Sequence, residues 1–153
     1  MIRIFMSYGM NGRTEEEQRA ERRKIRKKAE EIFNDKDNAF YVYEKIWKRK
    51  HTMPIRECVK QDLLFHSMTP MKHIRLVDNR NAVGDKKDGR LHYLGQAIMK
   101  LDKCDAVIFA SDWEKHNGCR IEHAAAQAYG LMIFYGDLLY FTRRYQYVYE
   151  NQM

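Results

Sequence analysis

The sequence predicts an α/β domain in which a mostly parallel sheet of four to five strands lies between layers of helices. Residues 2 to 6 form a short, mostly apolar run of strand length, and Ala106-Val107-Ile108-Phe109-Ala110 is a continuous apolar run that lacks the alternation of a half-exposed strand and reads as a strand buried on both faces. Segments of helical periodicity alternate with them, and β-α-β alternation implies parallel strands with right-handed crossovers. The 153 residues match one ordinary domain and bury a core of adequate size without disulfides or metals. Ligands of such sheets bind beyond the carboxyl ends of the strands, near the switch in strand order. The loops at Gly9 and Asp112 belong there.

The first strand ends at Ser7-Tyr8-Gly9-Met10-Asn11-Gly12-Arg13, where two glycines permit a tight backbone path. Thr14 stands three residues before Glu17, the capping-box spacing, and Ile25, Ala29, Ile32 and Phe33 follow at helical intervals toward Asn34. Residues 39 to 70 read as an insertion: Phe40-Tyr41-Val42-Tyr43 has strand character, and Ile55, Val59, Leu63 and Leu64 have helical spacing between two prolines. His73 to Asp78 is another strand candidate, and which of the two runs is the second strand of the sheet stays open. After a polar loop, Leu91, Leu94, Ile98 and Leu101 mark a helix leading into the buried strand from Ala106. Ile121, Ala124, Ala125, Ala128 and Tyr129 mark the next helix, which Gly130 stops before the strand Leu131 to Tyr135. Tyr140 to Tyr149 is rich in aromatic residues and reads as a last helix or a packing arm for another subunit.

A net charge of +7 and a pI near 9.3 raise the question of a polyanionic partner. Much of the excess lies in Arg19, Arg22, Arg23, Lys24, Arg26, Lys27 and Lys28, after Glu15, Glu16 and Glu17. Acid at the start of a helix and base toward its end complement the macrodipole and allow i to i+4 pairs, so the run is read as a solvated face and nucleic acid is not the expected partner. No apolar run is long enough to span a membrane. The first six residues turn polar too soon for a signal peptide, and three cysteines without a CxxC pair suit a reducing compartment. A cytoplasmic protein is expected.

Two segments concentrate chemistry. Ser7 to Thr14 is a strand-to-helix loop carrying Arg13 and the Thr14 hydroxyl at a helix amino end, where free N–H groups favour an anion; the plainer reading is a capped turn. It contains neither a Gly-Lys-Ser/Thr phosphate loop nor a GxGxxG fingerprint, and no cofactor is expected. The second segment runs from Asp112 to His123. Glu122, placed in the first turn of its helix, would be held ionised by the dipole and suited to bind ribose hydroxyls or to attack an anomeric carbon, against the plainer reading of ordinary acid bias at a helix start. Trp113 would stack on a base or pack against its own domain. Cys119, His116 and His123 match no zinc spacing, so no metal is expected. There is no GxSxG elbow and no cysteine nucleophile signature, and the scattered methionines read as core and loop filler.

Tyr93-Leu94-Gly95-Gln96-Ala97, Cys104-Asp105-Ala106-Val107, Asp112-Trp113 and Asn117-Gly118-Cys119-Arg120-Ile121-Glu122-His123-Ala124 together resemble the core pattern of the nucleoside 2-deoxyribosyltransferase-like superfamily, in particular its uncharacterised DUF4406 branch of bacteria and phages. Ser7 to Thr14 resembles the amino-terminal loop of that branch, so the likeness spans about half of the chain and leaves its middle unmatched. The resemblance implies a flavodoxin-like or Rossmann-like three-layer sandwich, homodimers or larger homo-oligomers, and a pocket for a nucleoside or nucleotide. It also implies that a glutamate at the position of Glu122 attacks the anomeric carbon and passes the sugar to another base or to water, by chemistry like that of retaining glycosidases. Ser7, Gly9, Gly12, Arg13, Thr14, Trp113, Asn117 and Gly118 are then the expected ligand contacts.

One departure touches the mechanism. Several catalytic relatives carry an aspartate eight residues before the position of Asp105, and here that position is Ala97. Alanine cannot move a proton, so either Asp112 takes over or the fold binds its ligand without turnover. Asp105 itself is expected to bond neighbouring backbone. The two expectations are N-glycosidic cleavage or deoxyribosyl transfer through Glu122, and a non-catalytic nucleotide-binding or sequestering protein of the same fold.

Overall fold

A computed structural model describes residues 2–34, 74–79 and 89–136. Its elements are β1 (Ile2–Ser7), α1 (Glu15–Asn34), β2 (Ile74–Asp78), α2 (Arg90–Leu101), β3 (Ala106–Phe109), a 3-10 turn (Trp113–Lys115), α3 (Asn117–Ala128) and β4 (Met132–Tyr135). The described strands form one sheet in the order β2-β1-β3-β4, and every neighbouring pair is parallel. The expected insertion at 39–70 and the aromatic tail at 140–149 lie outside the described residues. Of the two strand candidates, the run ending at Asp78 pairs with β1, Ile2 opposite Ile74 and Met6 opposite Asp78.

The alternation of side chains along each strand sends them to two cores. Ile2, Ile4 and Met6 of β1, with Ile108 and Phe134, meet Ile25, Ala29 and Phe33 of α1. The Phe33 ring stands edge-on to Phe134, centroids 5.6 Å apart, a favoured aromatic geometry. On the opposite face Phe5, Val107 and Phe109 meet Ala97 and Leu101 of α2 and Cys119 and Ala126 of α3. The chain therefore leaves β1 on one side of the sheet and returns on the other, which makes the gap between β1 and β3 the switch in strand order.

Local chemistry explains the element ends. The Glu17 N–H donates to Thr14 Oγ1 at 3.2 Å and the Thr14 N–H donates to Glu17 Oε2 at 2.7 Å, the reciprocal capping box. At the end of α3 the Leu131 N–H reaches Ala126 O at 2.9 Å and the Gly130 N–H reaches Gln127 O at 3.1 Å. Gly130 adopts φ +64° there, a Schellman stop that a side chain would strain. Asp105 bonds backbone as expected: it accepts the Arg3 N–H at 2.9 Å and its own N–H donates to Arg3 O at 2.8 Å, fastening β3 to β1.

Two expectations about helix faces are corrected. Leu91 and Ile121 do not face the core, being 80% and 47% exposed; α2 buries Ala97 and Leu101, and α3 buries Cys119, Glu122, His123 and Ala126. The basic run of α1 does not reach its last turn. Some of its charges are met by pairs such as Arg19–Glu15 at 2.6 Å and Lys24–Glu21 at 2.7 Å, so side-chain pairing and not the dipole at the carboxyl end accounts for these.

Candidate active site

The loops that leave β1 and β3 rise side by side from the switch and are tied together. Arg13 donates through Nη1 to Gly9 O at 2.6 Å and through Nη2 to Asp112 Oδ2, so one guanidinium closes its own loop and bridges to the other. Asp112 Oδ2 also meets His116 Nε2 at 3.2 Å. The His116 ring lies directly over Gly9: a Cβ at Gly9 would come within 2.3 Å of two ring carbons and Nδ1, so glycine is required for the two loops to approach.

Beneath this tie is a cavity of about 710 Å³, inside the range of small-molecule sites. The β1 side supplies Tyr8, Gly9 and Met10, the first turns of α2 and α3 supply Arg90, Tyr93, Asn117 and Gly118, and Glu122 and Ala97 also line the wall. Asn79, at the end of β2, lines it too; its side-chain amide donates to Tyr8 O at 3.0 Å, while its buried Oδ1 meets no donor among the described residues. Tyr8 is anchored by its hydroxyl, which donates to Asp78 Oδ1 at 2.6 Å.

Glu122 is the buried acid of the cavity, 3% exposed. It occupies the second turn of α3, not the first, because the helix begins at Asn117. The expectation that it is held ionised is also corrected: burial pushes its carboxyl up to about 7, against the downward pull of a hydrogen bond from Ser7. Ser7 Oγ donates that bond to Glu122 Oε2 across the sheet-to-helix interface. Both described thiols are raised by burial, Cys104 to about 11 and Cys119 to about 12, which leaves them protonated and poor nucleophiles near neutrality.

Of the residues singled out in the sequence, Gly9, Asn117, Gly118 and Glu122 line the cavity together. Ser7 is fully buried behind it and reaches it through Glu122. Arg13 and Asp112 are not among the lining residues and pair with each other, and Thr14 is occupied by the capping box. Gly12 is exposed, with φ +75°. Trp113 stacks on His123, centroids 4.0 Å apart and planes at 17°, and packs with the α2–α3 core. His123 in turn meets the Tyr135 hydroxyl at 2.7 Å, and burial pulls its imidazole down, against the charge of Glu114. Sequence reasoning passed over His116, Arg90, Tyr93 and Asn79 as site residues. In the sequence His116 stands out only as a rejected zinc ligand and Tyr93 only within the family-like motif; Arg90 and Asn79 belong to element ends that become neighbours through topology alone.

Residues 75–135 match the family model DUF4406, a domain of unknown function. The DUF4406 match runs from β2 to β4, so it contains Ala97, Asp112, His116 and Glu122 but not the Gly9 loop. No curated protein and no solved structure matches the chain. Among the described residues no helix is long and apolar enough to cross a membrane.

Proposed function

We propose that the cavity takes a nucleoside or nucleotide and that Glu122 is the nucleophile that cleaves its N-glycosidic bond, passing the deoxyribosyl group to water or to another base. The observation that carries this reading is the position of Glu122: a buried carboxyl, hydrogen-bonded by Ser7 from behind, on the wall of a cavity that the Gly9 loop also lines. A carboxylate so placed attacks an anomeric carbon with little water to compete, and a covalent glycosyl intermediate avoids a free oxocarbenium ion. The likeness of the Tyr93–Ala124 motifs to the deoxyribosyltransferase-like superfamily supports the same chemistry. The resemblance also implies homodimers or larger homo-oligomers, and three cysteines without a CxxC pair suit action in the cytoplasm.

The test is release of free base from the four deoxynucleosides and their 5′-monophosphates. Wild-type protein is expected to release base from at least one, with the rate falling as pH drops below about 7 because Glu122 must ionise to attack. Glu122→Ala is expected to lose at least ~100-fold. Absence of release by the wild type, or equal release by the variant, refutes the reading.

Ala97 favours a second reading. It lines the cavity where catalytic relatives carry an acid, which suits a protein that binds a nucleotide-like molecule without turning it over. Calorimetry against the same panel separates the two: binding without base release selects sequestration.

A further inference from the structure

We propose that His116, oriented by Asp112, transfers the proton to and from the leaving base, in place of the carboxyl group that is absent at Ala97. The inference rests on the reading of Glu122 as nucleophile and adds the partner which that chemistry needs. A nucleobase leaves slowly as an anion, so a group that can be protonated near neutrality has to stand in the same cavity as the nucleophile.

The lining supplies few groups of that kind. Tyr8 is committed to Asp78, and Cys119, pushed up to about 12, keeps its proton. Imidazole, unlike a phenol or an ammonium group, is the side chain that ordinarily exchanges its proton between about pH 5 and 8. His116 is the cavity-lining imidazole among the described residues.

Its surroundings are those of a positioned acid–base group. Asp112 Oδ2 holds Nε2 at 3.2 Å, leaving Nδ1 without a hydrogen-bond partner among the described residues. Burial pushes the Asp112 carboxyl up, but the His116 hydrogen bond and the Arg13 charge outweigh it and hold the group below its ordinary range, hence ionised at neutral pH. An ionised carboxylate on one ring nitrogen fixes the tautomer and steadies the imidazolium, as in a serine-protease triad. The backbone is fixed as well: the His116 N–H donates to Trp113 O at 3.1 Å and its carbonyl accepts the Arg120 N–H at 3.0 Å. Gly9 leaves the space in which the ring lies.

The step balances. Glu122 carboxylate forms a bond to the anomeric carbon as the C–N bond breaks; the electron pair goes to the base, which takes the proton of the His116 imidazolium. Neutral His116 then removes a proton from water as the water oxygen attacks the same carbon, and the C–O bond to Glu122 breaks to regenerate the carboxylate. The products are the free sugar, or sugar phosphate, and the neutral base. Asp112 acts throughout as a positioning residue.

The experiment compares two leaving groups: the deoxynucleoside that the wild type cleaves fastest, and 4-nitrophenyl 2-deoxyriboside, whose phenolate departs without a proton. His116→Ala is expected to lose at least ~100-fold on the nucleoside and less than about tenfold on the nitrophenyl compound. His116→Gln should show the same bias and decides the matter if the alanine variant fails to fold. Asp112→Asn should show a smaller loss with the same bias, which a merely structural role would not produce. Equal losses on both substrates, or none, overturn the role of His116 while leaving the nucleophile reading intact, provided Glu122→Ala is inert on both. Failure of the wild type to cleave either substrate overturns both.

Discussion

The helices α1 and α3 flank the same sheet from opposite sides and are built by opposite rules. α1 turns Ile25, Ala29 and Phe33 inward and spends its charges on pairs at the surface, the ordinary amphipathic arrangement. α3 turns Glu122 and His123 inward and leaves Ile121 47% exposed, with Tyr129 just beyond its end 80% exposed. Each inward polar group of α3 has a specific answer from the sheet: Ser7 on β1 for Glu122, and Tyr135 on β4 for His123. A buried polar group costs stability unless it is paired, and pairing recovers only part of the cost. The side of the sheet bearing α1 is organised for burial, and the side bearing α3 gives up some burial to hold a carboxyl in place. Local violations of packing rules concentrate where a protein has chemistry to perform.

The comparison breaks most visibly at α1. Phe33→Ala removes a fully buried ring that meets Phe134 edge-on, and is expected to cost about 3 to 5 kcal/mol in urea unfolding. Ile121→Ala, on the outward side of α3, should stay within about 0.5 kcal/mol. If Ile121→Ala costs as much as Phe33→Ala, the outward face of α3 is covered and the contrast between the two helices fails.

Glu122→Gln tests the other half. The folded protein raises this carboxyl from 4.5 to about 7, so between those pH values the folded state holds a proton that the unfolded state has released. Stability associated with the group is therefore complete below about 4.5 and lost as pH rises through about 7. Glutamine cannot ionise and escapes the loss. The variant should match the wild type near pH 4 and exceed it at pH 8 by up to about 3 kcal/mol, while losing base release. Equal stability of the two proteins across this range would mean that Glu122 is not held in a desolvated site.

The same contrast explains what could be read in the sequence. The α1 side was legible because capping, period and pairing are local: Thr14 and Glu17, then Ile25, Ala29 and Phe33, each lie within a few residues of their partners. The parallel sheet was legible from Ala106 to Phe109, whose unbroken apolar run has no use for a solvent face. The inward face of α3 was not, because periodicity assigns apolar residues to the core and α3 reverses that assignment at Ile121 and Glu122. The residue type of Glu122 was suggestive, but its protonation is set by burial in the folded chain, against a hydrogen bond from Ser7, 115 positions away. Arg13 and Asp112, each chosen separately as a site residue, pair with each other, a relation that a linear reading cannot contain. His116 looked ordinary in its loop and gains its interest only from the ring over Gly9 and the carboxylate at its edge.

Ser7→Ala measures how much of the α3 arrangement is owed to β1, and its effect on stability should be smaller than that of Phe33→Ala or Glu122→Gln. Ser7 is fully buried and donates to Glu122 Oε2 from the strand. A hydroxyl that donates to a carboxylate favours the charged form, so its removal should push the Glu122 carboxyl above about 7. The other groups near this carboxyl, Cys119 on its own helix and Tyr8, Arg90, Tyr93, Lys115 and His116 around the cavity, stay in place. At pH 5, where the carboxyl is protonated, the loss should be about 1 kcal/mol, the worth of one neutral hydrogen bond; above pH 8 it should be larger, because the charged form is then left in a drier site. Carboxyl carbon NMR of glutamate-labelled protein reads the titration directly, without substrate. An unmoved or lower midpoint would show that Ser7 does not support the ionised form of Glu122, and the inward polar face of α3 would need another source of compensation.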